Sequence, residues 1–129
     1  MRKFELMAGQ NLTGWARIHA AFFNSMKGLK AVWLSEEAFR QEIYLLIVTG
    51  PLGFWLGQTG FEKALLVGSI LLVLIVELLN TGIEIVVDRI SFEHHELSGR
   101  AKDVGSAAVF LALTLAGIIW LLILLPRFG

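Results

Sequence analysis

The stretch Val76-Glu77-Leu78-Leu79-Asn80-Thr81-Gly82-Ile83-Glu84-Ile85-Val86-Val87-Asp88-Arg89 decides how this chain is read. It continues an uncharged apolar run, Ala64 to Val76, and then sets three acids and an asparagine among aliphatic residues. An ionisable group inside a membrane span costs at least about 2.5 kcal/mol on insertion scales, so a helix accumulates such groups only against a compensating interaction. At about 100° per residue, with Glu77 as zero, Asn80, Glu84 and Asp88 fall at roughly 300°, 340° and 20°. The four side chains share one narrow face. They form a polar stripe that runs from the middle of a span, at Glu77, to its end, at Asp88, and so connects a buried carboxylate with the aqueous phase.

Composition agrees with a membrane setting. The 129 residues have room for one domain; 56% are hydrophobic and only 17% charged, and the mean hydropathy is +0.70, outside the soluble globular range. Eleven basic residues balance eleven acidic ones, so the electrostatic footprint of a nucleic-acid binder is missing. The absence of cysteine excludes disulfides, thiolate catalysis, Cys-type zinc sites and iron-sulfur clusters. This apolar content also excludes a wholly disordered chain.

The expected organisation is all-α: a single membrane domain, residues 1–129, with an interfacial amphipathic region over about 14–42 and transmembrane helices over about 43–57, 64–88 and 104–125. The first span is short for a hydrocarbon core that needs about 20 residues, so its helix is expected to start earlier, near Ala38. Gly50-Pro51 predicts a kink within it, and the third span is expected to stop at Pro126. Ala101, Gly105, Ala108 and Ala112 recur at four- and three-residue steps on the third helix, a spacing that lets helix backbones approach closely. From Trp15 to Trp33 the positions Trp15, Ile18, Phe22, Met26, Leu29 and Trp33 recur at three- and four-residue steps, opposite Arg17, Asn24 and Lys27. That pattern is an amphipathic helix suited to the headgroup plane; packing on other protein gives the same periodicity.

No apolar region followed by a small-residue cleavage site stands at the N-terminus, so the spans are expected to anchor the protein themselves. Arg2, Lys3, Arg17, Lys27, Lys30 and Arg40 precede the first span, and Arg89, Arg100 and Lys102 lie between the second and third, against Lys63 and Arg127 elsewhere. The positive-inside rule then makes the N-terminus and second loop cytoplasmic and puts the first loop and C-terminus outside.

After the stripe come Glu93-His94-His95-Glu96 and Gly99-Arg100-Ala101-Lys102-Asp103. Carboxylates with water and phosphate oxygens make a hard site suited to magnesium, and Lys102 is placed to pair with phosphate. Adjacent histidines with no His-x-x-x-His spacing do not read as a zinc site. Each group also has a plainer use: Glu77 and Asn80 as interhelical hydrogen-bonding groups, Arg100 and Lys102 as topology signals, the histidines as solvated loop. P-loop and protein-kinase motifs are absent. A proton or cation pathway would also use membrane carboxylates, but the outer half of the second span, Ala64 to Val76, offers only Ser69 as a polar side chain. A purely structural subunit gives no reason for Lys102-Asp103 to follow the acidic helix.

Three strings carry a resemblance: Glu36-x-Ala38-Phe39-Arg40-Gln41-Glu42; Val76-Glu77-Leu78-Leu79-Asn80-Thr81-x-Ile83-Glu84-x-Val86-Val87-Asp88-Arg89; and His95-Glu96-Leu97-Ser98-Gly99-Arg100-Ala101-Lys102-Asp103-x-Gly105-Ser106-Ala107-Ala108-Val109. Together they closely resemble the small prokaryotic diacylglycerol kinase family, over roughly Gly14 to the C-terminus. The resemblance implies a homotrimer in the bacterial inner membrane, each subunit with three transmembrane helices and a surface helix, that uses Mg-ATP to phosphorylate diacylglycerol to phosphatidic acid. It implies Glu77 as general base and Glu36 and Glu84 as carboxylates that hold Mg2+ on the ATP phosphates. Arg17, Glu93, His95, Lys102 and Asp103 match nucleotide-contacting positions, as do the two metal carboxylates. Lys30, Trp33, Arg40, Glu42 and Ser106 match positions near the lipid, with Glu77 reaching its hydroxyl; Asn80 and Asp88 sit in the supporting stripe. Active sites shared between subunits are implied as well. Related members phosphorylate undecaprenol instead, and the Phe39-Arg40-Gln41-Glu42 and Glu96-Leu97-Ser98-Gly99-Arg100 strings favour the diacylglycerol branch. The chain departs from the family pattern at Asn24, Ser35, Glu37 and His94.

Overall fold

The computed structural model describes residues 12–128; Arg2 and Lys3, which enter the charge-asymmetry reading, and the closing Gly129 lie outside the described residues. Four helices make up the regular structure of the described residues: α1, Gly14–Ser35; α2, Glu37–Leu56; α3, Gly60–Ile90; and α4, Glu96–Phe128. The chain divides into two compact units at Glu36.

The first unit is α1, 22 residues long. Glu36 ends it in extended backbone, with its amide donating to the Val32 carbonyl at 2.8 Å. Trp15, Ile18, Phe22 and Met26 are exposed along one side of this helix, as an amphipathic arm requires.

In the second unit α2 and α4 both pack against α3. Leu66, Ser69, Ile70, Val73, Leu74, Glu77, Asn80 and Thr81 are buried at three- and four-residue steps along α3, so one face of this helix is the core. Ile70 and Val73 meet Ala112 and Ala116 of α4, with Leu46, Val76 and Trp120 closing the cluster. The two alanines lack the bulk to hold the backbones apart, which is the small-residue packing used between membrane helices. Thr59 caps α3, its side chain accepting from the Glu62 amide at 3.1 Å, while Glu62 Oε1 accepts from the Gln58 amide at 2.9 Å. This is a capping box displaced by one residue.

Helix ends differ from the expected span limits because spans are read from apolarity and helices from hydrogen bonding. Glu37 to Glu42, grouped with the arm by their charge, form the first turns of α2, which continues unbroken through Pro51. Pro126 does not stop α4, which runs to Phe128, although its missing N–H removes the bond to the Leu122 carbonyl. Among the described residues two helices, Gly60–Ile90 and Glu96–Phe128, are long and apolar enough to cross a membrane. Glu37–Leu56 is not, since Glu37, Arg40 and Glu42 crowd its beginning. Outward-facing Leu79, Ile83 and Val86 on α3 and Phe110, Leu121 and Leu122 on α4 leave an apolar exterior, the kind of surface that faces lipid or other subunits.

The end of this unit far from Asp88 is tied by polar groups. Arg127 donates to the Leu56 carbonyl and pairs with Glu62, and Lys63 donates to the Phe54 carbonyl. One turn deeper, Trp120 Nε1 donates to the Leu66 carbonyl at 3.0 Å and to Ser69 Oγ at 3.2 Å, while its ring abuts Gly53, where an added β-carbon would come within 3.3 Å of it. Trp120→Phe should therefore cost about 1 kcal/mol, the usual value of one interhelical hydrogen bond in a membrane. Trp120→Ala should cost about 3–5 kcal/mol through lost packing. Reversible unfolding in detergent measures both.

Candidate functional site

The polar stripe lies on the α3 face that packs inward, and its burial falls along the helix. Glu77 is 7% exposed and Asn80 9%; Glu84 is half-buried, and the Asp88 side chain is 38% exposed. The stripe thus leads from a closed interior to an open end. At the deep end the side chain of Glu42, from α2, lies within hydrogen-bonding reach of Glu77. A hydrogen bond between two carboxyl groups requires that one of them carry a proton. Glu42 Oε2 is buried with no hydrogen-bond partner among the described residues.

One turn along, Asn80 Nδ2 donates to Glu84 Oε1 at 3.3 Å. Farther out, Lys102 Nζ of α4 pairs with Asp88 Oδ1 at 2.7 Å, and Glu84 also attracts the same ammonium through space. The pair presents a cation beside two carboxylates where α3 and α4 meet water. Arg100 is occupied within its own helix, at 3.3 Å from Glu96, an exposed i,i+4 pair of small energetic weight.

The connection from α3 to α4 adds a second group of functional side chains. Ser91 Oγ accepts from the Glu93 amide at 3.0 Å, and His95 Nδ1 accepts from the Leu97 amide at 3.1 Å. The second bond satisfies one of the donors left over in the first turn of α4. With Nδ1 accepting, the neutral ring carries its proton on Nε2, which is then a donor. Glu93, His94, His95, Ser98, Gly99 and Lys102 line a cleft of about 220 Å3. A small-molecule site usually takes about 300–1,000 Å3, so this cleft is smaller than a complete site.

Of the residues singled out in the sequence, the structure brings together Glu42 with Glu77, Asn80 with Glu84, Asp88 with Lys102, and Glu93 with His95 and Lys102. Asp103 and Ser106 are exposed on α4, and Arg40 is half-buried on α2. Arg17, Lys30 and Trp33 belong to α1, and Glu36 caps it, all within the first unit. Among the described residues no three His, Asp or Glu side chains cluster as a metal cage. Ser98 and Gly99, which in the sequence stand only within longer strings and carry no assigned role, also line the cleft, from the first turn of α4.

Comparison with known proteins follows the same strings. A family model described as prokaryotic diacylglycerol kinase matches residues 23–124. A diacylglycerol kinase of Escherichia coli (strain K12) is 50% identical over 119 residues, 92% of this chain and 98% of the relative. One from Haemophilus influenzae is 54% identical over 96 residues, 74% and 81% of the two chains, and one from Helicobacter pylori (strain 26695) is 38% identical over 107 residues, 83% and 84%.

The Asp88–Lys102 pair is more than one-third exposed, so solvent screens it. Asp88→Asn, Lys102→Met and the double change should show only a small coupling in a thermal or denaturant double-mutant cycle, smaller still at high salt.

Proposed function

Since the chain belongs to the prokaryotic diacylglycerol kinase family, we propose that it phosphorylates the free hydroxyl of 1,2-diacylglycerol with ATP, giving phosphatidic acid and ADP. The observation that carries this reading is the burial gradient on α3: a carboxyl pair, Glu42 and Glu77, at the closed end and a cation, Lys102, at the open end. A lipid hydroxyl has access to the first from the membrane, and a phosphate to the second from water. In the transfer the hydroxyl oxygen forms a bond to the γ-phosphorus, the bond from that phosphorus to the ADP oxygen breaks, and the hydroxyl proton passes to Glu77. Such a reaction needs mainly in-line positioning and neutralisation of charge on the phosphoryl oxygens.

Lys102 neutralises part of that charge, exchanging Asp88 for phosphate, while Nε2 of His95 donates to the nucleotide beside Glu93. Arg17 and Asp103 complete the nucleotide side; Lys30, Trp33, Arg40, Glu42 and Ser106 serve the lipid side. A half-buried carboxylate held by an amide, Glu84 on Asn80, fits a hard cation such as Mg2+, which takes one or two carboxylates and completes its shell with phosphate oxygens and water. Glu84 and Glu36 are the residues assigned to hold it, and bound there it would screen the negative charge of the ATP phosphates.

In this reading α2 with α3 and α4 forms three spans in the bacterial inner membrane, with the N-terminus and the α3–α4 connection cytoplasmic and the C-terminus periplasmic. The assembly is a homotrimer with active sites shared between neighbours. A cleft of about 220 Å3, smaller than a nucleotide needs, supports a site completed by a second subunit. Undecaprenol kinase is the alternative within the family. A cation pathway is disfavoured because Ser69, the polar side chain of the run from Ala64 to Val76, is already engaged with Leu66 and Trp120.

Purified protein in mixed micelles with labelled ATP, Mg2+ and either diacylglycerol or undecaprenol tests the substrate; labelled phosphatidic acid is expected, and label only in undecaprenyl phosphate rejects the reading. Glu77→Gln should lower turnover by about 100-fold or more while nucleotide affinity and assembly persist, the usual contribution of a general base; a variant that keeps a tenth of the activity removes Glu77 from that role. Mixing inactive Glu36→Gln subunits with inactive Glu77→Gln subunits should restore activity, since some sites then receive Glu36 from one subunit and Glu77 from its neighbour. Inactive mixtures of subunits shown to exchange would mean that each subunit holds its own site.

A further inference from the structure

Gly105 of α4 is buried against Asn80 of α3. A β-carbon added to Gly105 would collide with Asn80 Oδ1 and stand 3.2 Å from its Cγ. Oδ1 is buried and receives no hydrogen bond among the described residues, so no donor holds it in place. On its other side the same amide donates from Nδ2 to Glu84 Oε1. The amide cannot be reversed there, because that would set an oxygen against the carboxylate. The Asn80 side chain is thus held between a carboxylate that needs its N–H and a backbone that leaves room for its oxygen.

The atom in the way of a β-carbon is the end of a side chain. A methyl group at residue 105 would therefore be accommodated by turning Asn80, and Glu84 would lose its donor. A half-buried carboxylate without that bond is free to change rotamer and pairs more readily with Lys102, which it already attracts.

We propose that Gly105 is a positioning residue: by lacking a β-carbon it keeps Asn80 in the rotamer that donates to Glu84, and so aims the carboxylate assigned to the metal. This rests on the role proposed for Glu84. It differs from the plain small-residue reading of Gly105, in which a methyl group would separate α3 and α4 whatever stands at residue 80.

Turnover of purified protein in mixed micelles, followed as a function of free Mg2+ for Gly105→Ala, Asn80→Ala and the double variant, decides between them. Gly105→Ala should raise the half-activating Mg2+ concentration by about tenfold, the scale on which lost outer support weakens a metal ligand, with a smaller fall in turnover at saturating Mg2+. In the Asn80→Ala background the same change should add less than about a factor of two, since no amide remains to be displaced. Wild-type activation by Mg2+ in Gly105→Ala, or effects that multiply in the double variant, overturns the proposal. Should Gly105→Ala fail to assemble, recovery of assembly by the added Asn80→Ala change supports the collision, and continued failure overturns it. Glu84→Gln, measured alongside, separates the two levels. Unaltered Mg2+ activation there removes Glu84 from the metal, while non-additivity of the Gly105 and Asn80 turnovers still decides whether the glycine acts through the asparagine.

Discussion

Burying Glu77 is the constraint on which the rest of this structure turns. A carboxyl group placed in the apolar middle of a helix bundle destabilises it unless neighbouring groups share its proton or its charge. Here Glu42 reaches across from α2 toward Glu77, and farther along α3 Asn80 bonds Glu84 within the helix while Lys102 reaches across from α4 to Asp88. The first and last of these need a second helix at close range. Ala112 and Ala116 on α4 therefore belong to the same solution as the polar groups, because large residues there would hold the second helix out of reach of the first.

The two ends of the helical unit divide the work. At one, Arg127, Lys63 and Trp120 fasten helices to each other through backbone carbonyls, and Arg127 also pairs with Glu62, so these polar groups are spent on holding the fold. At the other, Lys102, Glu93 and His95 line a cleft, and Asp88, paired with Lys102, remains partly exposed to solvent. Stability and chemistry are kept some distance apart, so the open end tolerates groups poorly suited to packing.

Much of the first level of organisation was legible because it depends only on spacing within one helix. The angular arithmetic on Glu77, Asn80, Glu84 and Asp88 anticipates an inward polar face, and the structure buries Glu77 and Asn80 on it. The periodicity from Trp15 to Trp33 anticipates α1. What the sequence concealed involves two segments at once. The contact of Glu42 with Glu77 and the collision that Gly105 avoids with Asn80 depend on the register of α2 and α4 against α3, which no one-dimensional pattern records. The break at Glu36 was hidden for another reason: its neighbours on both sides favour helix, and the charges of Glu37 to Glu42 resemble those of the arm. The continuation of α4 for two residues past Pro126 is not legible either, since a proline beside the chain's last apolar run reads equally as a stop signal.

The rigid connection between Glu77 and Asp88 has one more consequence. Eleven positions separate them on a continuous helix, which at about 1.5 Å each fixes their spacing at roughly 16 Å, about half the thickness of a typical hydrocarbon core. A helix does not stretch when the surrounding bilayer does. The stripe is thus a measuring rod of constant length set in a medium whose thickness varies with acyl chain length. In a thicker bilayer Glu77 sits deeper relative to the glycerol level and in a thinner one shallower, unless the helices tilt to compensate. Under the role proposed for Glu77, lipid chain length then acts on this protein twice, through whatever contacts the chains make and through the depth at which the hydroxyl meets that carboxylate.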